Sequence, residues 1–146
     1  MIVKVKKIHA NAILPTYGSP QSAGADLYAL LEGDSLTIGA GETALIGTGL
    51  TFEIPEGYVG LVYARSGLAT KKGLAPANKV GVIDSDYRGE LKVALFNQSG
   101  KEQVIAAGER IAQLVIAPYL SATFEEADVL SDTARGAGGF GSTGSK

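Results

Sequence analysis

The sequence predicts an all-β domain, a sandwich or jelly-roll-like barrel carrying one short helix. Apolar residues recur at a period of two through six separate stretches, the mark of strands buried on one face. Turn signals rich in Gly, Pro and Asn sit between those stretches. No strand pattern alternates with a helical one, which disfavours a doubly wound parallel sheet.

In chain order the strand candidates are residues 2–8 (IVKVKKI), 35–38 (SLTI), 43–54 (TALIGTGLTFEI), 58–64 (YVGLVYA), 91–97 (LKVALFN) and 110–120 (RIAQLVIAPYL). The turns between them are GAGE at 39–42, PEG at 55–57, NQSGK at 97–101 and AAGE at 106–109. The one helix candidate is SGLATKKG at 66–73, with Ser66 as N-cap and Gly73 as the C-terminal stop. After about Leu130 the chain loses its apolar residues and turns to Gly, Ser and Thr. Residues 1–130 therefore read as a single β-rich domain and 131–146 as a flexible tail.

Composition narrows the function classes. With 45% hydrophobic residues in 146, most of the chain is not disordered. No apolar run approaches the roughly 20 residues of a membrane span. The N-terminus alternates apolar and basic residues and reads as a strand rather than a signal peptide, which makes the cytoplasm the expected compartment. There is no cysteine and one histidine, His9, so disulfides, Cys zinc sites and His-based triads are disfavoured. His9 itself reads as a surface residue. A net charge of −2 argues against broad binding to nucleic acid. It leaves room for a small anionic ligand, for which a few arginines suffice.

Five stretches carry groups suited to such a ligand. AGADLYA at 23–29 brings Asp26 into a strand. YARSGLA at 63–69 ends a strand in Arg65, Ser66 and Gly67, where a helix starts; phosphate binding and a simple cap are both open readings. GVIDSDYRGEL at 81–91 has the look of a β-hairpin holding Gly81, Ile83, Asp84, Asp86, Tyr87 and Arg88, with Asn78 leading in. Its two carboxylates suit either a metal or a turn. GERIAQL at 108–114 places Gln113 in an apolar strand. The last, RGAGGFGSTG at 135–144, spaces Gly136, Gly138 and Gly141 as G-x-G-x-x-G without a following helix. Glycines let successive N–H groups converge on one anion. Arg135, Ser142 and Thr143 add donors, and Phe140 offers a face for a flat ring.

Taken in order from Ala23 to Gly144, these stretches strongly resemble the five motifs of the trimeric dUTPases. One departure is Ala64, where many members carry proline before RSG. The resemblance implies Mg²⁺-dependent hydrolysis of dUTP to dUMP and pyrophosphate. That reaction limits uracil incorporation into DNA and supplies dUMP for dTMP synthesis. It also implies a homotrimer of jelly-roll-like subunits with active sites between them.

By resemblance, Asp84 positions and deprotonates the water that attacks the α-phosphorus, a task a carboxylate suits. Arg65, Ser66, Gly67 and Gln113 hold the phosphates. Asp26 reaches the metal through water, and the ion rests mainly on the triphosphate. Asn78 and the backbone from Gly81 to Ile83 read the uracil edge, where cytosine would leave buried groups unpaired. Tyr87 lies against the deoxyribose and leaves no room for a 2′-hydroxyl. Residues 131–146 act as a lid, with Phe140 over the uracil and Arg135, Gly141, Ser142 and Thr143 on the phosphates. A dCTP deaminase and a non-catalytic nucleotide sensor are the rival readings. Against the first stands the hairpin together with the full Gly-rich tail; against the second, the intact set of chemical groups.

Overall fold

Alternation of buried and exposed positions builds twelve strands and one helix in the computed structural model, which describes residues 1–142. The strands are β1 (Lys4–Lys7), β2 (Thr16–Tyr17), β3 (Ala25–Tyr28), β4 (Ser35–Ile38), β5 (Thr43–Gly47) and β6 (Leu50–Glu53). Next come β7 (Tyr58–Tyr63), α1 (Ser66–Lys72), β8 (Leu74–Pro76), β9 (Gly81–Ile83), β10 (Lys92–Asn97), β11 (Gln103–Ala106) and β12 (Arg110–Pro118).

All pairings between these strands are antiparallel. A five-stranded sheet runs β2-β3-β12-β7-β9, a three-stranded one β5-β10-β8, and two ribbons pair β11 with β4 and β1 with β6. One core joins them. Leu27, Val62, Ile111 and Leu114 of the large sheet meet Ile46, Leu74, Val93 and Leu95 of the three-stranded sheet, with Ile38, Ile105, Leu50 and Phe52 from the ribbons. Fully burying each such side chain stabilises the fold by about 1.5–3 kcal/mol. The all-β prediction with one short helix holds.

A polar residue locks one corner. Asn97 is fully buried, and its side-chain amide lies 2.9, 3.0 and 2.8 Å from the carbonyls of Ile38, Gly39 and Lys101. Ser99 donates N–H and O–H to Asn97 Oδ1. The turn at 97–101 is thereby tied to the end of β4.

Three expectations change. Residues 43–54 form two strands, because Thr48 turns inward to donate to the Leu91 carbonyl and Gly49 takes φ +68°. A Cβ on Gly49 would stand 2.7 Å from Leu30 Cδ2, so only glycine fits that break. Residues 81–91 are not a hairpin: β9 pairs with β7 and β10 with β5 and β8, so the segment crosses between sheets. Ser66 is the first helical residue rather than the cap; Arg65 holds the cap position, in extended conformation and without a side-chain cap bond. Gly73 ends the helix as expected, at φ 67° with its N–H on the Ala69 carbonyl. Strands β2, β8 and β11 have no counterpart among the predicted stretches.

Candidate active site

Register in the large sheet assembles the first cluster. On β12, Gln113 stands opposite Asp26 of β3 on one side and Tyr63 of β7 on the other. Residues paired across antiparallel strands share a face, so this row carries Asp26 and Gln113 on the same side. Two residues beyond Tyr63, the chain turns into α1 and delivers Arg65 beside them.

Asp26 is 9% exposed, and its carboxylate is held at both oxygens. Arg65 Nε donates to Oδ1 at 2.7 Å and Arg110 Nη1 to Oδ2 at 3.1 Å. Gln113 Nε2 donates to the Ala64 carbonyl at 2.9 Å, fixing the amide next to Arg65. Gly24 gives that amide room, since a Cβ there would collide with Gln113 Oε1. These side chains, with Ser66, Gly67, Gly18 and residues 22–24, line a cavity of about 360 Å³. Two guanidiniums against one carboxylate leave the cavity positive, and charge-assisted donors face it; the arrangement suits an anion with several oxygens.

Asp84 lies elsewhere. It opens a turn closed by the Tyr87 N–H on its carbonyl, and with Asp86 and Arg88 it lines a larger groove of about 1230 Å³. Arg88 Nη1 donates to the carbonyls of Ser85 and Tyr87, stiffening the turn from within. At the groove's rim a 2.8 Å hydrogen bond from Lys4, and then the Lys4 charge, hold the Glu53 carboxyl below its ordinary value, with a smaller contribution from Arg88.

The two clusters sit at opposite ends of β7. Ile83 pairs with Gly60, and Val59 lines the Asp84 groove. Arg65 is six residues beyond Val59, about 20 Å at ~3.3 Å per residue. Within one chain, Asp84 and Arg65 therefore line separate cavities.

The remaining candidates form two further groups. Asn78 and Gly81 are neighbours: Asn78 Nδ2 lies 3.3 Å from where a Gly81 Cβ would stand, and Val62 Cβ 3.1 Å. Ile83 ends β9 and Tyr87 follows on the turn. Beyond Pro118 no described residue is in a helix or strand, and Leu120, Phe124, Val129 and Leu130 are more than four-fifths exposed. In this segment Arg135 Nε donates to the Gly138 carbonyl, while Phe140 and Gly141 take positive φ of 51° and 86°. Gly141 and Ser142 are exposed there; Thr143 lies outside the described residues.

Sequence reasoning missed Arg110. In an unbroken strand it falls three residues from Gln113 and so on the opposite face. A register shift between Arg110 and Ala112 reverses that, placing Arg110 opposite Tyr28 and therefore on the face of Asp26.

Fold and site together define an all-β protein with an arginine-lined anion cavity. The sequence pattern described as dUTPase matches residues 10–144. A deoxyuridine 5'-triphosphate nucleotidohydrolase of Nautilia profundicola is 51% identical over 99% of both chains, and one of Hydrogenobaculum sp. is 49% identical over 100% of both. Among solved structures, a mutant dUTPase of Staphylococcus bacteriophage 80alpha with dUpNHpp has a TM-score of 0.88 at 29% identity, covering 98% of each chain. A mutant dUTPase from phage phi11 of S. aureus, described with a structural Mg(II) ion, has a TM-score of 0.78 at 26% identity over 88% of this chain and 98% of its own. The chain belongs to the dUTPase family.

Proposed function

We propose that this chain is a dUTP diphosphatase, hydrolysing dUTP to dUMP and pyrophosphate by in-line attack of water on the α-phosphorus. One observation carries the reading. Asp26, Arg65, Ser66, Gly67 and Gln113, drawn from distant parts of the sequence, converge on one positive cavity sized for a polyphosphate. In this reading Arg65, Ser66, Gly67 and Gln113 hold the phosphate tail, and Asp84 orients and deprotonates the water.

Uracil is read by Asn78 and the backbone from Gly81 to Ile83, and Tyr87 walls off the 2′ position of the sugar. The separation of Asp84 from Arg65 along β7 supports a site shared between subunits, and with it a homotrimer. One copy supplies the cavity and another the Asp84 turn. The exposed segment after Pro118 extends toward a neighbour, and residues 131–146 close as a lid over residues 1–130. There Phe140 covers the base, and Arg135, Gly141, Ser142 and Thr143 contact the phosphates. A tail without regular structure suits a part that orders only on binding.

The family's Mg²⁺ fits these residues in a specific way. Among the described residues no three acidic or histidine side chains cluster, and Asp26 already serves two guanidiniums. Asp26 is the residue that would hold the ion, through water, and the remaining oxygen ligands would come from substrate and solvent. When bound it supplies charge neutralisation along the polyphosphate. No helix among the described residues is long and apolar enough to cross a membrane. We place the enzyme in the cytoplasm, acting on a free nucleotide without contacting nucleic acid.

The test is a panel of deoxy- and ribonucleoside triphosphates, with and without Mg²⁺, followed by pyrophosphate release. The expected result is Mg²⁺-dependent release from dUTP far above that from dCTP, dTTP or UTP, with loss of most activity in a chain ended at Ala134. Ammonia from dCTP would establish a deaminase, and binding of dUTP without turnover a sensor.

A further inference from the structure

Glu90 has no role in the reading above, yet its side chain ties the Asp84 turn to the scaffold. Oε1 of Glu90 accepts the Gly49 N–H at 2.8 Å, at the break between β5 and β6. Gly49 is buried, so its N–H needs an acceptor from the protein. Gly47 leaves room for this contact, since a Cβ there would collide with Glu90 Oε1. The next residue is stitched to the same break. The Leu91 N–H donates to the Leu50 carbonyl at 2.9 Å, and the Leu91 carbonyl accepts from Thr48 Oγ1 at 2.7 Å.

The turn therefore hangs from two supports. At its start, Ile83 pairs with Gly60 in the large sheet, directly before Asp84. At its end stands Glu90, whose carbonyl accepts from the Tyr87 hydroxyl at 3.1 Å. Arg88 bonds only to carbonyls inside the turn and fixes nothing to the scaffold. Glu90 thus acts on the Tyr87 ring twice: its main chain receives the hydroxyl, and its side chain anchors that main chain. The neighbouring Lys92 adds little, because its Nζ is 3.5 Å from Glu90 Oε2 on a side chain 47% exposed.

We propose that Glu90 is a positioning residue for nucleotide selection, holding Tyr87 against the sugar by way of the Gly49 N–H. This rests on the reading of Tyr87 as the wall against a 2′-hydroxyl. The requirement is for an acceptor at a given reach and not for a charge. Glutamine keeps an oxygen at that reach, aspartate is one methylene short, and alanine has no acceptor.

Competition kinetics with UTP and dUTP on the full chain test this in Glu90→Ala, Glu90→Asp, Glu90→Gln, Tyr87→Ala and the double variant of Glu90→Ala with Tyr87→Ala. The readout is the UTP-to-dUTP ratio of kcat/KM, which does not depend on how much of the enzyme is folded. A merely structural role for Glu90 therefore leaves it at the parental value. Glu90→Ala is expected to raise the ratio about 3- to 5-fold, the scale of one hydrogen bond and less than deleting the wall. Glu90→Gln should stay within about twofold of the parent. The double variant should match Tyr87→Ala, because both changes act through one ring. A raised ratio in Tyr87→Ala beside a parental one in Glu90→Ala removes Glu90 from selection and leaves the wall standing. A parental ratio in Tyr87→Ala removes the wall, and the role of Glu90 with it. If Glu90→Gln rises as far as Glu90→Ala, the tether is not an acceptor and the proposal is overturned. Should Glu90→Ala fail to fold, Glu90→Asp decides: it keeps the charge, its ratio must exceed that of Glu90→Gln, and equality refutes the proposal.

Discussion

The Asp26 cavity is fixed on three sides by regular structure: β3, β12 and the junction of β7 with α1. The Asp84 turn crosses between two sheets, and Arg135 and Phe140 lie on a segment with no strand at all. The charged groups of the first region are held in place by each other before any ligand arrives, with one positive charge in excess. Those of the second are exposed and face partners within their own turns. The contrast teaches a division of labour. In the proposed reading, the scaffold presets the end that holds phosphate, where misplaced charge would be costly. The groups assigned there to reaction and closure sit where movement and contributions from another subunit are possible. Substitutions in the first region should therefore cost stability as well as binding, and those in the second should cost activity alone.

Asp84→Asn carries the largest expected effect. The side chain is exposed, so melting temperature and assembly should match the parent. The amide orients water but takes no proton, and turnover of dUTP should drop about 10²- to 10⁴-fold, the usual contribution of a positioned base. Affinity for the imido analogue should persist. Stopped-flow pyrophosphate release beside calorimetric binding checks both halves. A variant that turns over at the parental rate removes Asp84 as the base.

Asp26→Ala should behave in the opposite way. Removing the carboxylate leaves Arg65, 26% exposed, and Arg110 facing each other without their shared partner. Hydrogen bonds between charged groups are lost at a partly buried site, and urea unfolding should show a loss of about 2 kcal/mol. An unchanged midpoint would mean that the cavity is not held by this cross-link, and the contrast with Asp84 would collapse.

Legibility followed the range of the forces involved. Strands such as β4, β7 and β10 could be read because one face is buried and the alternation is local. The split at Thr48 could not, since it depends on Leu91 and Leu30. The false hairpin at 81–91 has the same origin: turn residues announce a reversal of direction without saying which sheet receives the next strand. In the site, the resemblance supplied Asp26, Arg65 and Gln113 as a set, while no spacing places Arg65 on a carboxylate 39 residues earlier. The adjacent apolar pair Ile111–Ala112 between Arg110 and Gln113 was the one local sign of the bulge, and it is ambiguous because alanine tolerates either face.

The smallest effect expected falls on sugar selection. Tyr87 folds back so that its hydroxyl donates to the Glu90 carbonyl at 3.1 Å, and a Cβ on Gly89 would collide with its ring. The ring is thus held as a wall by a hydrogen bond behind it and by the absence of a side chain beneath it. Tyr87→Ala deletes the wall, and the UTP-to-dUTP ratio of kcat/KM should rise about 10-fold, the scale of one steric or apolar contact. Gly89→Ala should shift the ratio in the same direction by less, because the ring is displaced and not removed. Competition kinetics with both nucleotides measures the two. If Tyr87→Ala leaves the ratio unchanged, rejection of the 2′-hydroxyl belongs to another group, and the exposed turn contributes chemistry through Asp84 without contributing selectivity.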